Sequence, residues 1–183
     1  VLIAKNKEGY HNLAKLSSLG YLEGFYYKPR MDYELLAEHS EGIIAASGCL
    51  GGEVAQLLAP DAYDEEGNVG VSRDFEAAVA AAARYQDIFG KDNFFIELMD
   101  HGVDAQRKVL PDLVDIAGRI GAPLLATNDS HYTHAHEAEA HDALLCIQTG
   151  ALMSDADRFR FHGSGYHVRT AAEMRRLFPD DRY

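Results

Sequence analysis

The sequence predicts an α/β fold built on a mainly parallel sheet, or a part of a β/α barrel. Two observations predict it. Four short apolar runs, 1–4 (VLIA), 43–46 (IIAA), 94–98 (FFIEL) and 124–127 (LLAT), have the length of buried strands. A stretch of helical pattern follows each of them, and strands that alternate with helices read as βαβ units.

The elements can be justified in order. After the first run, Tyr10, Leu13, Leu16 and Leu19 recur at three-residue spacing, as on one face of a helix. A second short helix fits 32–38. The run IIAA leads into 53–58, and the Ala-rich stretch 74–89 makes a further helix. Between these two, 59–72 (APDAYDEEGNVGVS) is polar and contains glycine, and reads as an inserted surface loop. After FFIEL, the residues Val109, Leu110, Leu113, Ile116 and Ile120 form an apolar face that Gly121 suits as a stop. After LLAT comes a helix over 135–147. Near the end, Thr170 and Glu173 stand at capping-box spacing and should start a helix running through Phe178, before Pro179. Four such units would be about half of an eight-stranded barrel. The chain opens inside an apparent strand without Met, and we expect it to be a piece of a longer polypeptide.

Composition excludes several classes. A chain of 183 residues that is 47% hydrophobic can bury a real core. The formal net charge of -12 gives an acidic surface, unsuited to general nucleic-acid binding. The segment after Gly150 is an exception, with six Arg against five Asp or Glu. Two cysteines, Cys49 and Cys146, make no disulfide framework and fit a reducing cytosol. No apolar run is long enough to span a bilayer.

In parallel β/α folds the chemistry gathers where strands end. The second run ends in Ser47-Gly48-Cys49. The third contains Glu97 and ends in Asp100-His101-Gly102. The fourth ends in Asn128-Asp129-Ser130-His131. Thiol, carboxylate and imidazole are the ligand types for Zn²⁺ and similar ions. Asp129 and His131 would share a face if the strand continued through them. Each residue also has a plainer reading. Cys49 can be a small buried hydrophobe and Glu97 a satisfied buried acid. Asp129 can cap the next segment, and His131 can be a hydrogen-bonded core residue. His134, His136 and His141 read as a solvated helix face. Arg158, Arg160, Arg169, Arg175 and Arg176 are candidates for phosphate contact, as is the aromatic-basic loop of Tyr26, Tyr27, Lys28, Pro29 and Arg30. Exposed arginines are more often simply solvated.

Five collinear stretches carry a resemblance: 9–30 (GYHNLAKLSSLGYLEGFYYKPR), 38–53 (EHSEGIIAASGCLGGE), 94–102 (FFIELMDHG), 126–132 (ATNDSHY) and 141–150 (HDALLCIQTG). Together they resemble the polymerase-and-histidinol-phosphatase (PHP) domain of the α subunits of bacterial replicative DNA polymerase III. The resemblance implies a partial, distorted (β/α)7 barrel of PHP type with parallel strands. It implies that 1–150 is the C-terminal part of that domain, and that 151–183 connects it toward the polymerase palm. By motif, it makes Cys49, Asp129 and His131 metal ligands, in a site completed by residues preceding this chain. The ions expected are Zn or Mn. Implied activities are DNA polymerisation by the parent, through palm carboxylates beyond Tyr183, and 3′→5′ proofreading exonuclease at the metal site in some members. The isolated fragment is expected to be inactive. Implied partners are primer-template DNA and other replicase subunits, in the cytoplasm and away from membranes. Two other readings stay open: a catalytically inactive PHP domain that stabilises the polymerase and docks partners, and a metal-dependent hydrolase of small phosphate esters.

Overall fold

The computed structural model describes residues 1–59, 73–163 and 165–179. Four strands form one sheet in the order β1-β2-β3-β4: β1 (Leu2–Ala4), β2 (Ile43–Ala46), β3 (Phe94–Leu98) and β4 (Leu124–Ala126). Every apolar run expected to be a strand is one, to within a residue. β2 and β3 are parallel, with Ala45 opposite Phe94. β3 and β4 are parallel too, with Ile96 opposite Leu124 and Leu98 opposite Ala126. The architecture is therefore mixed α/β around a parallel core.

The first strand departs from the parallel expectation. β1 runs antiparallel to β2, with Ile3 opposite Ile44. The cause is the close start of α1 (Lys7–Leu22), which presses its first turn onto Gly42, the residue before β2. The Lys5 amide donates to the Gly42 carbonyl at 2.8 Å. A Cβ on Gly9 would sit 1.8 Å from that same carbonyl oxygen. The chain thus leaves β1 and enters β2 at one end of the sheet, which only an antiparallel pair satisfies. An apolar run such as VLIA carries no information about direction.

The helices begin where side chains can cap them. Asn6 accepts from the Gly9 amide at 2.9 Å to start α1, and Asp32 accepts from Leu35 at 2.8 Å to start α2 (Tyr33–Glu38). After α3 (Glu53–Leu58), Asp74 caps α4 (Phe75–Phe89) through Ala77. α5 (Asp104–Ile120) stops at Gly121, whose φ of 67° an L side chain rarely adopts. A 3₁₀ turn, Ala135–Glu137, leads into α6 (Ala138–Thr149). The capping box of Thr170 and Glu173 opens α7 (Ala171–Leu177) as expected. Apart from Ala59, the loop expected over 59–72 lies outside the described residues.

The core sits where α1, α4 and α5 pack on the sheet. Leu16, Ile43, Phe94, Ile96 and Ile116 are each at most 1% exposed. Burying each such side chain stabilises the fold by about 1.5–3 kcal/mol. Ala78, Ala81 and Ala82 turn the small face of α4 inward, which lets that helix approach the sheet closely. Among the described residues, no helix is long and apolar enough to cross a membrane.

Candidate metal centre at the sheet edge

Because β2, β3 and β4 run in one direction, their C-terminal ends share an edge. Cys49, His101, Asp129 and His131 all follow those ends. Glu97 stitches the three ends together. Its carboxylate accepts from the Thr127 hydroxyl at 2.6 Å and from the Gly48 amide at 3.1 Å. Its own amide donates to the Ser47 hydroxyl at 2.9 Å. Both carboxylate oxygens are engaged and the residue is buried. Glu97 is the satisfied buried acid of the plainer reading.

His101 is equally committed. Gln106 Nε2 donates to Nδ1 at 2.9 Å, and Nε2 donates to the Asn128 carbonyl at 2.8 Å, which sets a neutral tautomer. The Gln106 carbonyl oxygen takes the His101 amide at 2.8 Å. The ring is buried against Tyr166. Both imidazole nitrogens serve the fold.

Cys49 and the Asp129–His131 pair have chemistry left to offer. Cys49 is a half-buried free thiol beside a small cavity of about 20 Å³ that Glu97, Met99 and Gln106 also line. That is room for about one water. A far larger concavity of about 630 Å³, bordered by Lys91, Gly118, Gly121 and Pro123, opens near the start of β4, away from these ligand-type residues.

Asp129 and His131 are exposed. They are not aligned by strand alternation, as the D-x-H spacing suggested. β4 ends at Ala126, and Asp129 has a φ of 42°, in the left-handed region that Asp tolerates better than most residues. The turn joins them in another way: His131 Nδ1 donates to the Asp129 carbonyl at 2.7 Å. That bond leaves Nε2 as the nitrogen with a lone pair, the arrangement of a metal-binding imidazole.

Residues 161–168 lie across this turn. The His131 amide donates to the Tyr166 carbonyl at 2.7 Å, and Tyr132 bridges to His167 in parallel. Asn128 Nδ2 donates to the carbonyls of Gly165 and His167 at 2.9 and 2.7 Å. Phe161 sets its ring against His131 at 4.6 Å between centroids and against His141 at 5.0 Å. His141 is therefore packed, not part of a solvated face. Burial, and then the neighbouring His131, hold its pKa below the usual value. His134 and His136 are exposed as expected, and His134 closes a capping box with Glu137. Asn128, Phe161 and Tyr166 were not singled out from the sequence. Contacts across more than 30 residues leave no periodic signal.

The donor set of thiol, carboxylate and imidazole with a free Nε2 fits a divalent ion such as zinc. The three donors share an edge but not a pocket. Among the described residues, no three His, Cys, Asp or Glu side chains are grouped so as to hold a metal.

Residues 1–101 match the PHP domain family. The chain belongs to the PHP domain family. The match includes Cys49, Glu97 and His101, and it ends short of Asp129 and His131. Similar proteins extend over almost the whole chain. The DNA polymerase III subunit alpha of Saccharopolyspora erythraea is 49% identical over 174 residues, which are 95% of this chain and 14% of that protein. That of Deinococcus radiodurans is 47% identical over 178 residues, 97% of this chain and 12% of the relative. That of Treponema pallidum is 44% identical over 179 residues, 98% and 14%. This PHP chain thus spans about one-seventh of the length of the curated relatives it matches.

Proposed function

We propose that this PHP chain is part of a DNA polymerase III α subunit and serves DNA replication in the cytoplasm. One observation carries the reading: identity of 44–49% to such subunits along 95–98% of the chain. The length of those relatives speaks against a small-ester hydrolase. On this reading, the observed strands are part of a distorted (β/α)7 barrel, residues 1–150 its C-terminal part, and 151–183 the connection toward the polymerase palm. Primer-template DNA and the other replicase subunits are partners of the whole protein.

Within that protein, Cys49, Asp129 and His131 would hold a divalent ion, Zn or Mn, together with ligands from elsewhere in the subunit. Such an ion lowers the pKa of a bound water and neutralises phosphate oxygens, the requirements of 3′→5′ excision. The chain's own residues prepare for it. The Asp129 carbonyl holds the Nδ1 proton of His131, so Nε2 keeps its lone pair. The left-handed turn at Asp129 keeps its carboxylate at the surface. Cys49 offers a thiol that metal binding would deprotonate.

A second reading, an inactive PHP domain that steadies the polymerase, has its own support. Glu97 and His101 are fully used in structural bonds. The two readings separate in the full-length subunit. Asp129→Asn and His131→Asn are expected to reduce 3′→5′ excision by orders of magnitude and to leave extension of a matched primer nearly unchanged. A joint fall of excision, extension and melting temperature would favour the scaffold. No change in any of the three would remove both residues from either role.

A further inference from the structure

We propose that residues 161–168 act as a strap that sets the metal-binding geometry of His131, with Phe161 as its positioning residue. The inference rests on the metal-site reading above and names a part of the site that the D-x-H motif does not contain.

The His131 ring is fixed at three points, and two come from the strap. On its own turn, Nδ1 donates to the Asp129 carbonyl at 2.7 Å. From the strap, Phe161 meets the ring edge-to-face, with centroids 4.6 Å apart and planes at 77°. Tyr166 meets it at 5.8 Å and 84°. Such contacts are directional, because the positive edge of one ring seeks the negative face of the other. The backbone is tied down as well, through the His131 amide on the Tyr166 carbonyl.

The strap is itself held firmly. Asn128 donates to two of its carbonyls, and the Ser130 hydroxyl donates to the His167 carbonyl at 3.1 Å. Gly163 passes so close that a Cβ there would lie 2.2 Å from the His101 carbonyl oxygen. Phe161 also contacts Tyr166 and His141, at 5.0 Å each, so its ring is wedged among three others. An exposed histidine on a turn would otherwise sample several rotamers. Here the free Nε2 keeps one direction. Orienting partners of a metal-binding histidine govern affinity without touching the ion.

The test is Co²⁺ binding by the full-length subunit, followed through the visible absorption that cobalt gains on taking histidine and thiolate ligands. The absorption lost in His131→Asn defines the signal from this site. Phe161→Ala is expected to weaken that Co²⁺ binding roughly 10–100-fold and to alter the band shape. Phe161→Tyr, which keeps the ring edge, is expected to restore both. Melting temperature of the metal-free variants is measured alongside. A Phe161→Ala protein that melts earlier but binds Co²⁺ with parental affinity and spectrum would make Phe161 a packing residue only and overturn the proposal. Should Phe161→Ala not fold, Phe161→Leu keeps the bulk without the ring and must show the same weakening. If His131→Asn itself leaves Co²⁺ binding unchanged, the metal-site reading fails and this proposal fails with it. If His131→Asn abolishes binding while every Phe161 variant matches the parent, only the proposal fails.

Discussion

His101 lies flat on Tyr166, with ring centroids 4.0 Å apart and planes within 11° of parallel. The pair joins the end of β3 to a segment more than 60 residues later in the chain. It also decides what kind of histidine His101 is. A ring stacked on one face and hydrogen-bonded at both nitrogens has no lone pair to give a metal. His101→Ala is expected to cost roughly 2–4 kcal/mol, since it removes the stacked ring and strands Gln106 and the Asn128 carbonyl. Denaturant titration of parent and variant measures it. A loss below about 0.5 kcal/mol, the usual range for surface changes, would contradict the assignment.

Asn128 is the second test of the same joint. Asn128→Asp replaces two donors with acceptors, facing the carbonyls of Gly165 and His167. We expect a loss of about 1–3 kcal/mol and faster protease cleavage within 161–168. Mass mapping of early proteolytic fragments locates the cut.

The contact of α1 with β2 gives a third expectation. Gly9→Ala drives a methyl group into the Gly42 carbonyl, a backbone atom that cannot swing aside. The expected cost is about 3 kcal/mol, at the upper end for overpacking. Gly118→Ala serves as the control, because nothing lies within 4 Å of its added Cβ. That change should be neutral or slightly stabilising, since Ala is the better helix former.

A hydrogen-bonded acid beneath α4 supplies a fourth. Glu53 accepts from the hydroxyls of both Tyr33 and Tyr85, the latter at 2.7 Å, and so ties α2 and α4 to α3. Burial first, and then this carboxylate, raise the Tyr85 pKa. Glu53→Ala is expected to cost roughly 1–2 kcal/mol in a denaturant titration. It should also bring the Tyr85 phenol back toward its ordinary value, seen as an earlier tyrosinate absorbance on raising pH.

The pH dependence of α7 can be given a sign. Hydrogen bonds from the Thr170 amide and hydroxyl, and then from His167, hold the Glu173 carboxyl at about 2, well under the usual 4.5. A depressed folded value means the stabilisation is complete above 4.5 and is lost as pH falls toward 2. Asp142 is lowered as well, chiefly by its hydrogen bond with Arg158, and weakens in the same direction. Melting temperature should therefore drop across that acid window. In Glu173→Gln, which keeps a capping-box side chain without the titration, the drop should be shallower.

Much of the fold was legible because it rests on short-range rules. Strand runs such as FFIEL and caps such as Thr170 with Glu173 announce themselves within a few residues. The direction of β1 was not legible, because it depends on Gly9 meeting Gly42. The site was legible only as chemistry. Residue types at the strand ends named Cys49, Asp129 and His131, and the plainer reading of Glu97 matched its bonds. Their aim was not legible. The left-handed turn at Asp129 breaks the alternation the D-x-H spacing assumed, and His141 is packed by a phenylalanine 20 residues away.

The bond between the His131 amide and the Tyr166 carbonyl spans 35 residues, and this imposes an order in time. A ribosome adding about 5–20 residues per second lays down Asp129 and His131 roughly 2–7 seconds before the chain that fastens them. During that interval the acid and the imidazole ride on a turn with no fixed direction. Selective capture of an ion has to wait for later synthesis, so a chain halted before Tyr166 would carry the donors of the motif without the means to aim them.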